Sequence, residues 1–181
     1  DGKINIPMKP TAGGIYTSEG LPHGGYSVVP PVYIGADVEI EDGASIGPYT
    51  VIDDNCFVGK NAKIKHSIIL ENSWIASGVS VTGSLVCSGA ALKNRVSMFE
   101  GSVAGSGWVI GEDAMINPEV LVWPGKIVGS GAIVNLNIKY GSVKSEILGE
   151  NGVDEKNGVK VGMTGYCFPY KDGKKDISKD V

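Results

Sequence analysis

Between Ile34 and Ile138 an apolar residue returns every six positions. The series is Ile34, Ile40, Ile46, Ile52, Val58, Ile64, Ile69, Ile75, Val81, Val86, Leu92, Met98, Ala104, Ile110, Ile116, Val122, Val128 and Val134. Two steps are five residues long, Ile64 to Ile69 and Val81 to Val86. A period of six is neither the 3.6 of a helix nor the 2 of a plain strand. It predicts a chain wound into a parallel β-solenoid, in which each coil buries its apolar side against its neighbours.

With the recurring apolar residue taken as position one, position four is Gly, Asn or Asp in thirteen of eighteen repeats. Those residues tolerate the left-handed backbone region at low cost, so each repeat is expected to carry one short strand and one tight corner. Three exceptions are large: Tyr49, Arg95 and Glu119. Tyr49 and Glu119 follow Pro48 and Pro118, which predicts type I turns without a positive φ; Arg95 has no such explanation. Position five is small or β-branched in most repeats, as in Ala44, Cys56, Ala62, Ser73, Ala90 and Ala114. Strand alternation then points positions five and one inward and position six outward.

Three repeats make one coil, so coils begin at Ile34, Ile52, Ile69, Val86, Ala104 and Val122. The two short steps fall seventeen residues apart, on the same side of adjacent coils. Stacked deletions keep the ladder in register, whereas an isolated one would break it. The expected fold is an all-β parallel β-helix of about six coils over residues 32–140. Before it, segment 1–31 holds a degenerate first coil suggested by Ile15, Leu21 and Val28. Residues 141–181 form a tail without the repeat, partly docked or disordered, in which Tyr166, Phe168 and Tyr170 could cap the last coil.

The register places Phe57, Trp74, Ala91, Val109 and Ile127 in one outward row on the first face. Ser45, Lys63, Ser80, Ser97, Met115 and Ile133 form the matching row on the second face. An apolar row across five rungs predicts a subunit or domain interface on the first face, unless a flanking segment covers it. Trp108 and Lys126 break the small-residue rule at position five on one corner. Either the tube widens or is capped there, or they meet a partner domain or an anionic ligand.

Composition narrows function by exclusion. A net charge of −4 with 20% charged residues gives no electrostatic case for nucleic acid. No apolar run approaches the ~18 residues of a membrane helix, so no membrane partner is expected. The 27 glycines are spread at intervals, as repeated turns rather than a linker. Three cysteines, Cys56, Cys87 and Cys167, without CxxC spacing argue against a disulfide framework or zinc site and favour a reducing, cytoplasmic setting. His23 and His66 read as exposed histidines, and two histidines are too few for a three-histidine metal site. Asp1 is not an initiating residue, so the chain is expected to be a trimmed piece or a domain of something longer.

Segments such as Ile34-Gly35-Ala36-Asp37-Val38-Glu39 and Ile110-Gly111-Glu112-Asp113-Ala114-Met115 resemble the hexapeptide repeat of left-handed parallel β-helices. That resemblance implies a left-handed coil, an exception to the usual right-handed crossover. The stretch from Leu92 to Lys126, with Phe99-Glu100-Gly101 and Val122-Trp123-Pro124-Gly125-Lys126, is similar to the C-terminal β-helix of sugar-1-phosphate nucleotidyltransferases. The similarity is strongest to the mannose-1-phosphate guanylyltransferase-like branch, including forms fused to a phosphomannomutase-like part. The two five-residue steps and Pro30-Pro31-Val32-Tyr33-Ile34-Gly35 belong to the same pattern, which reaches Leu148-Gly149-Glu150-Asn151-Gly152 more weakly.

The catalytic half of that family carries a glycine-rich GxGxR-type loop that cradles phosphates, and this chain has none. The resemblance therefore implies an accessory domain without a catalytic residue or a cofactor of its own. Its partners would be the catalytic domain of its parent, identical subunits, or both. The parent would join a nucleotide to a sugar 1-phosphate with release of diphosphate, using magnesium. Two rival readings remain: a stand-alone acyltransferase using acyl-CoA, and a purely structural assembly module.

Overall fold

The structure, a computed structural model, describes residues 13–18 and 20–138, and the backbone alone at 10–11, 147–148, 170–171 and 174–175. Strands of two or three residues alternate with corners, and each pairs in parallel with a strand one coil further on. Ile52 lies beside Ile69, Ile69 beside Val86, and Val58 beside Ile75. The strands sort into three ladders, which form the faces of a triangular tube. The first face runs from Glu39–Ile40 to Ile127–Val128, the second from Ser27–Val28 to Ile133–Val134, and the third from Ile15–Thr17 to Leu121–Val122.

The number of coils is about seven rather than about six. The third ladder has eight strands, of which Pro10–Thr11 pairs antiparallel; the second has eight, of which Ile147–Leu148 pairs antiparallel. The additional coil comes from Ile15–Thr17 and Ser27–Val28, which pair in parallel with Val32–Ile34 and Ser45–Ile46. The six-residue rhythm does not reach it for a physical reason. Thr17, not Ile15, stacks on Ile34 in the inward slot, and this coil has no strand on the first face. Leu21 is exposed and takes no place in the core. Cys167, Tyr166, Phe168 and nearly all of the tail lie outside the described residues; the backbone of Tyr170–Lys171 pairs with that of Lys174–Lys175.

Every position-one residue from Ile34 to Val134 is buried, and so is Ile138 beyond them. Position five fills the remaining interior with Ala, Val, Ser, Thr and Cys. Each apolar side chain withdrawn in this way contributes roughly 1.5–3 kcal/mol, and the ladders satisfy the backbone between coils. Gly59 N, for example, donates to Ile75 O at 2.7 Å.

The corners hold two corrections. Tyr49 and Glu119 adopt φ of 52° and 62°, so the prolines before them do not give turns that avoid positive φ. All three large exceptions, with Arg95 at 59°, sit in the left-handed region like the glycines and asparagines stacked around them. The corner geometry is imposed by the coils above and below, and a residue in the column must take it. Arg95 gains a partner there. Its guanidinium donates to the Asp113 carboxylate of the next coil at 2.6 and 2.7 Å, which raises the arginine pKa and lowers that of the aspartate.

The second correction concerns the two short steps. His66 and Gly83, rather than Ser67 and Ser84, take the left-handed corner, with φ of 51° and 60°. Ser67 and Ser84 instead point inward and are buried, in line with Ser102. Ser84 N donates to Ser67 Oγ at 3.2 Å, and Ser84 Oγ lies 3.0 Å from Ser102 Oγ and 2.8 Å from Phe99 O. A hydroxyl that finds carbonyls within its own tightened corner can occupy the core without a desolvation penalty. No buried side-chain polar atom among the described residues lacks a partner.

Glycine at position two has a different cause. A Cβ on Gly111 would lie 2.5 Å from Ser130 N and 2.7 Å from Gly129 C, backbone atoms of the next coil that cannot move aside. We expect Gly111→Ala to destabilise the protein by about 1–3 kcal/mol. Gly107→Asn, at an open left-handed corner (φ +68°), should leave the thermal melt nearly unchanged. Equal melting temperatures for the two variants would refute this account.

Candidate functional site

Any function of a solid tube must lie on its outside, because side chains fill the interior. Alternation along each strand turns one residue outward per rung, and the ladders stack these into three rows. On the first face the row is Glu39, Phe57, Trp74, Ala91, Val109 and Ile127. The sequence-derived candidates Phe57, Trp74, Ala91, Val109 and Ile127 thus lie together in one line. Trp74 is 49% exposed and the others are half-buried. Phe57 and Trp74 stack with ring centroids 4.0 Å apart and planes 17° from parallel, an arrangement that fixes both rings as a rigid apolar platform.

The second face is different in chemistry. Its row, Ser27, Ser45, Lys63, Ser80 and Ser97, is polar until it ends in Met115 and Ile133.

The third face holds a row that the sequence reading passed over: Tyr16, Tyr33, Val51, Ile68, Leu85, Val103 and Leu121. Ile68 and Leu121 are each 44% exposed. The signal was present in the register, since these residues directly precede the inward residues of every coil start. Charge borders this row unevenly. The corner that leads into the face carries Lys65 at the Ile68 rung, then Glu100 and Glu119 further along. The corner that leaves it carries Asp53, Asp54 and Glu71. Burial raises the Tyr33 phenol pKa, and Asp54 and Asp53 beside it raise it further.

The remaining candidates do not converge. His23 is exposed in a loop, and His66 is exposed at a corner, stacked on Tyr49 with centroids 5.6 Å apart. The Cys56 thiol is buried, lies 3.2 Å from Leu70 O, and is pushed up by burial to about 11, far from a reactive thiolate. Cys87 is half-buried at a corner, its pKa also raised by burial. Trp108 is wholly buried, and its indole N–H donates to Trp123 O of the next coil at 2.5 Å, so it belongs to the core. Lys126 follows it in the same column and is half-buried. Among the described residues no three His, Cys, Asp or Glu side chains are grouped as a metal site.

Comparison with known proteins fits this geometry. The chain is similar to a hexapeptide transferase family protein from Anaplasma phagocytophilum. The two are 22% identical with a TM-score of 0.62, over 80% of this chain and 84% of that one. It is also similar to a candidate acetyltransferase from Bacillus cereus, at 20% identity and a TM-score of 0.59, over 67% of this chain and 81% of that one. Likeness at this level shows a shared left-handed β-helix of hexapeptide repeats and leaves the reaction open. The sequence of the coiled region is more specific. The family model of the GMPPB C-terminal domain matches residues 28–137, more than half of the chain and nearly all of its regular coils, and the chain belongs to that family.

Proposed function

We propose that this chain is the accessory β-helix of a sugar-1-phosphate nucleotidyltransferase of the mannose-1-phosphate guanylyltransferase-like kind. The observation that carries the reading is the family match across residues 28–137. The surface chemistry supports it: a filled tube with exposed apolar rows is suited to holding other domains in place. The first face, centred on the Phe57–Trp74 stack, is the docking surface for the catalytic domain. A half-exposed tryptophan on a rigid platform is the type of residue that dominates interface energetics. Magnesium, the nucleotide and the sugar phosphate would all be held by that catalytic domain, and the parent would work in the cytoplasm.

The test separates this reading from an acyltransferase. A ligand that binds the folded chain raises its melting temperature. Acetyl-CoA, GTP and mannose 1-phosphate should each leave the melt of this chain unchanged; stabilisation by acetyl-CoA would overturn the accessory role. In titrations against the nucleotidyltransferase domain of the parent, Trp74→Glu should weaken binding roughly 30-fold, as expected for loss of a central aromatic contact. Unaltered affinity would remove the first face from the proposal.

A further inference from the structure

The third face has no role in the reading above, yet its apolar row is the longest among the described residues. It spans seven rungs from Tyr16 to Leu121, about 30 Å at the usual strand spacing. The corners that flank it say what fits. Glu100 and Glu119 on the leading corner lie at rungs whose trailing corner carries Ser106 and Trp123, without charge. Asp53, Asp54 and Glu71 on the trailing corner lie at rungs whose leading corner carries Tyr49, then Lys65 and His66.

We propose that the third face is a self-association surface on which a second copy of this chain lies side by side and parallel. In that pair the Lys65 corner of each copy meets the Glu71 corner of the other. A two-fold axis parallel to the tube lays each rung against its own counterpart and exchanges leading and trailing corners. Ile68 then packs on Ile68, and Lys65 faces Glu71 twice, once on each side of the axis. No like charges meet, because the rungs with Glu100 and Glu119 face uncharged corners. The antiparallel pair with the same full overlap, centred on the Ile68 rung, would oppose Lys65 to Lys65 and Glu71 to Glu71. Like charges placed across an interface suppress that alternative. Isologous contact of this kind closes at two copies. The proposal does not depend on the chemistry of the parent enzyme.

Light scattering on the eluting protein should give twice the 18.9 kDa of one chain. Ile68→Glu, at a half-exposed position, should give one copy that keeps the β-sheet circular dichroism of the wild type. Lys65→Glu should weaken the pair about tenfold, and Lys65→Glu with Glu71→Lys in the same chain should restore it to within about threefold. A wild-type mass of one or three copies would overturn the proposal. So would a pair that survives Ile68→Glu but is lost in Trp74→Glu, or a double variant as weak as Lys65→Glu alone. Stabilisation by acetyl-CoA would sink the accessory role without altering any of these masses.

Discussion

Trp108→Ala should cost about 3–5 kcal/mol, the upper range for truncating a buried aromatic, and should loosen the C-terminal coils before the rest. The column that holds Trp108 runs Val38, Cys56, Ser73, Ala90, Trp108, Lys126, so one large ring occupies a corner slot that the four coils before it fill with small side chains. Its removal leaves a void that the rigid ladders on either side cannot collapse to fill. It also leaves Trp123 O without the indole donor 2.5 Å away. In a solenoid each coil is stabilised only by its neighbours, so damage near one end need not spread to the other. Hydrogen exchange should therefore quicken across Val103–Ala104, Val109–Ile110 and Leu121–Val122 while Thr50–Ile52 and Trp74–Ile75 keep their protection. Trp108→Phe, which retains most of the apolar ring but not the N–H, should recover the larger part of the loss. Uniform loss of protection along the chain would refute the local account, and an unchanged exchange pattern would refute the packing role.

Much of this fold was legible because the six-residue rhythm is a direct image of the tube. One buried branched residue per face is a requirement of closure, and the stacked short steps fix which residues share a coil. The features that were misread belong to columns rather than to single repeats. Proline before Tyr49 and Glu119 suggested a local turn type, but the corner conformation is set by the coils stacked on it. Ser67 and Ser84 looked like corner residues because the count from Ile64 and Val81 continued through the deletion. The missing residue in fact precedes the corner, and the serines drop into the core, where neighbouring carbonyls accept them. The first coil was only hinted at, since Thr17 keeps the inward slot without an apolar side chain.

The candidate surface shows the same division. Phe57, Trp74, Ala91, Val109 and Ile127 could be aligned by arithmetic on the register. The same arithmetic, applied to the residue before each coil start, yields the third-face row. The first face is marked by the adjacent Phe57 and Trp74 rings, whereas five of the seven residues of the third-face row are Val, Leu or Ile, which in isolation are ordinary strand residues. Only their stacking over seven rungs makes them a surface.

Ile75→Ala tests the register itself, and we expect it to destabilise the whole tube by about 2–5 kcal/mol. Ile75 lies in the middle of the stack Ile40, Val58, Ile75, Leu92, Ile110, Val128 and is completely buried between Val58 and Leu92. Removing three carbons there withdraws contacts from the coils on both sides. Because the position is central, neither half can keep its packing by shedding an end, and the transition should shift as one. For a protein of this size the melting temperature should fall by roughly 5–15 °C. Ile110→Ala, two coils nearer the end, should show a similar local loss with less effect on Thr50–Ile52. A strand shifted by one residue would exchange its two faces completely, turning Trp74 inward and Ile75 to solvent. The comparison with Trp74→Ala is therefore decisive. Under the register described, that variant strips an outer platform and shifts the melt far less than Ile75→Ala. A melt insensitive to Ile75→Ala and abolished by Trp74→Ala would require the tube to be rewound, and with it every assignment of inner and outer rows on which the two docking faces rest.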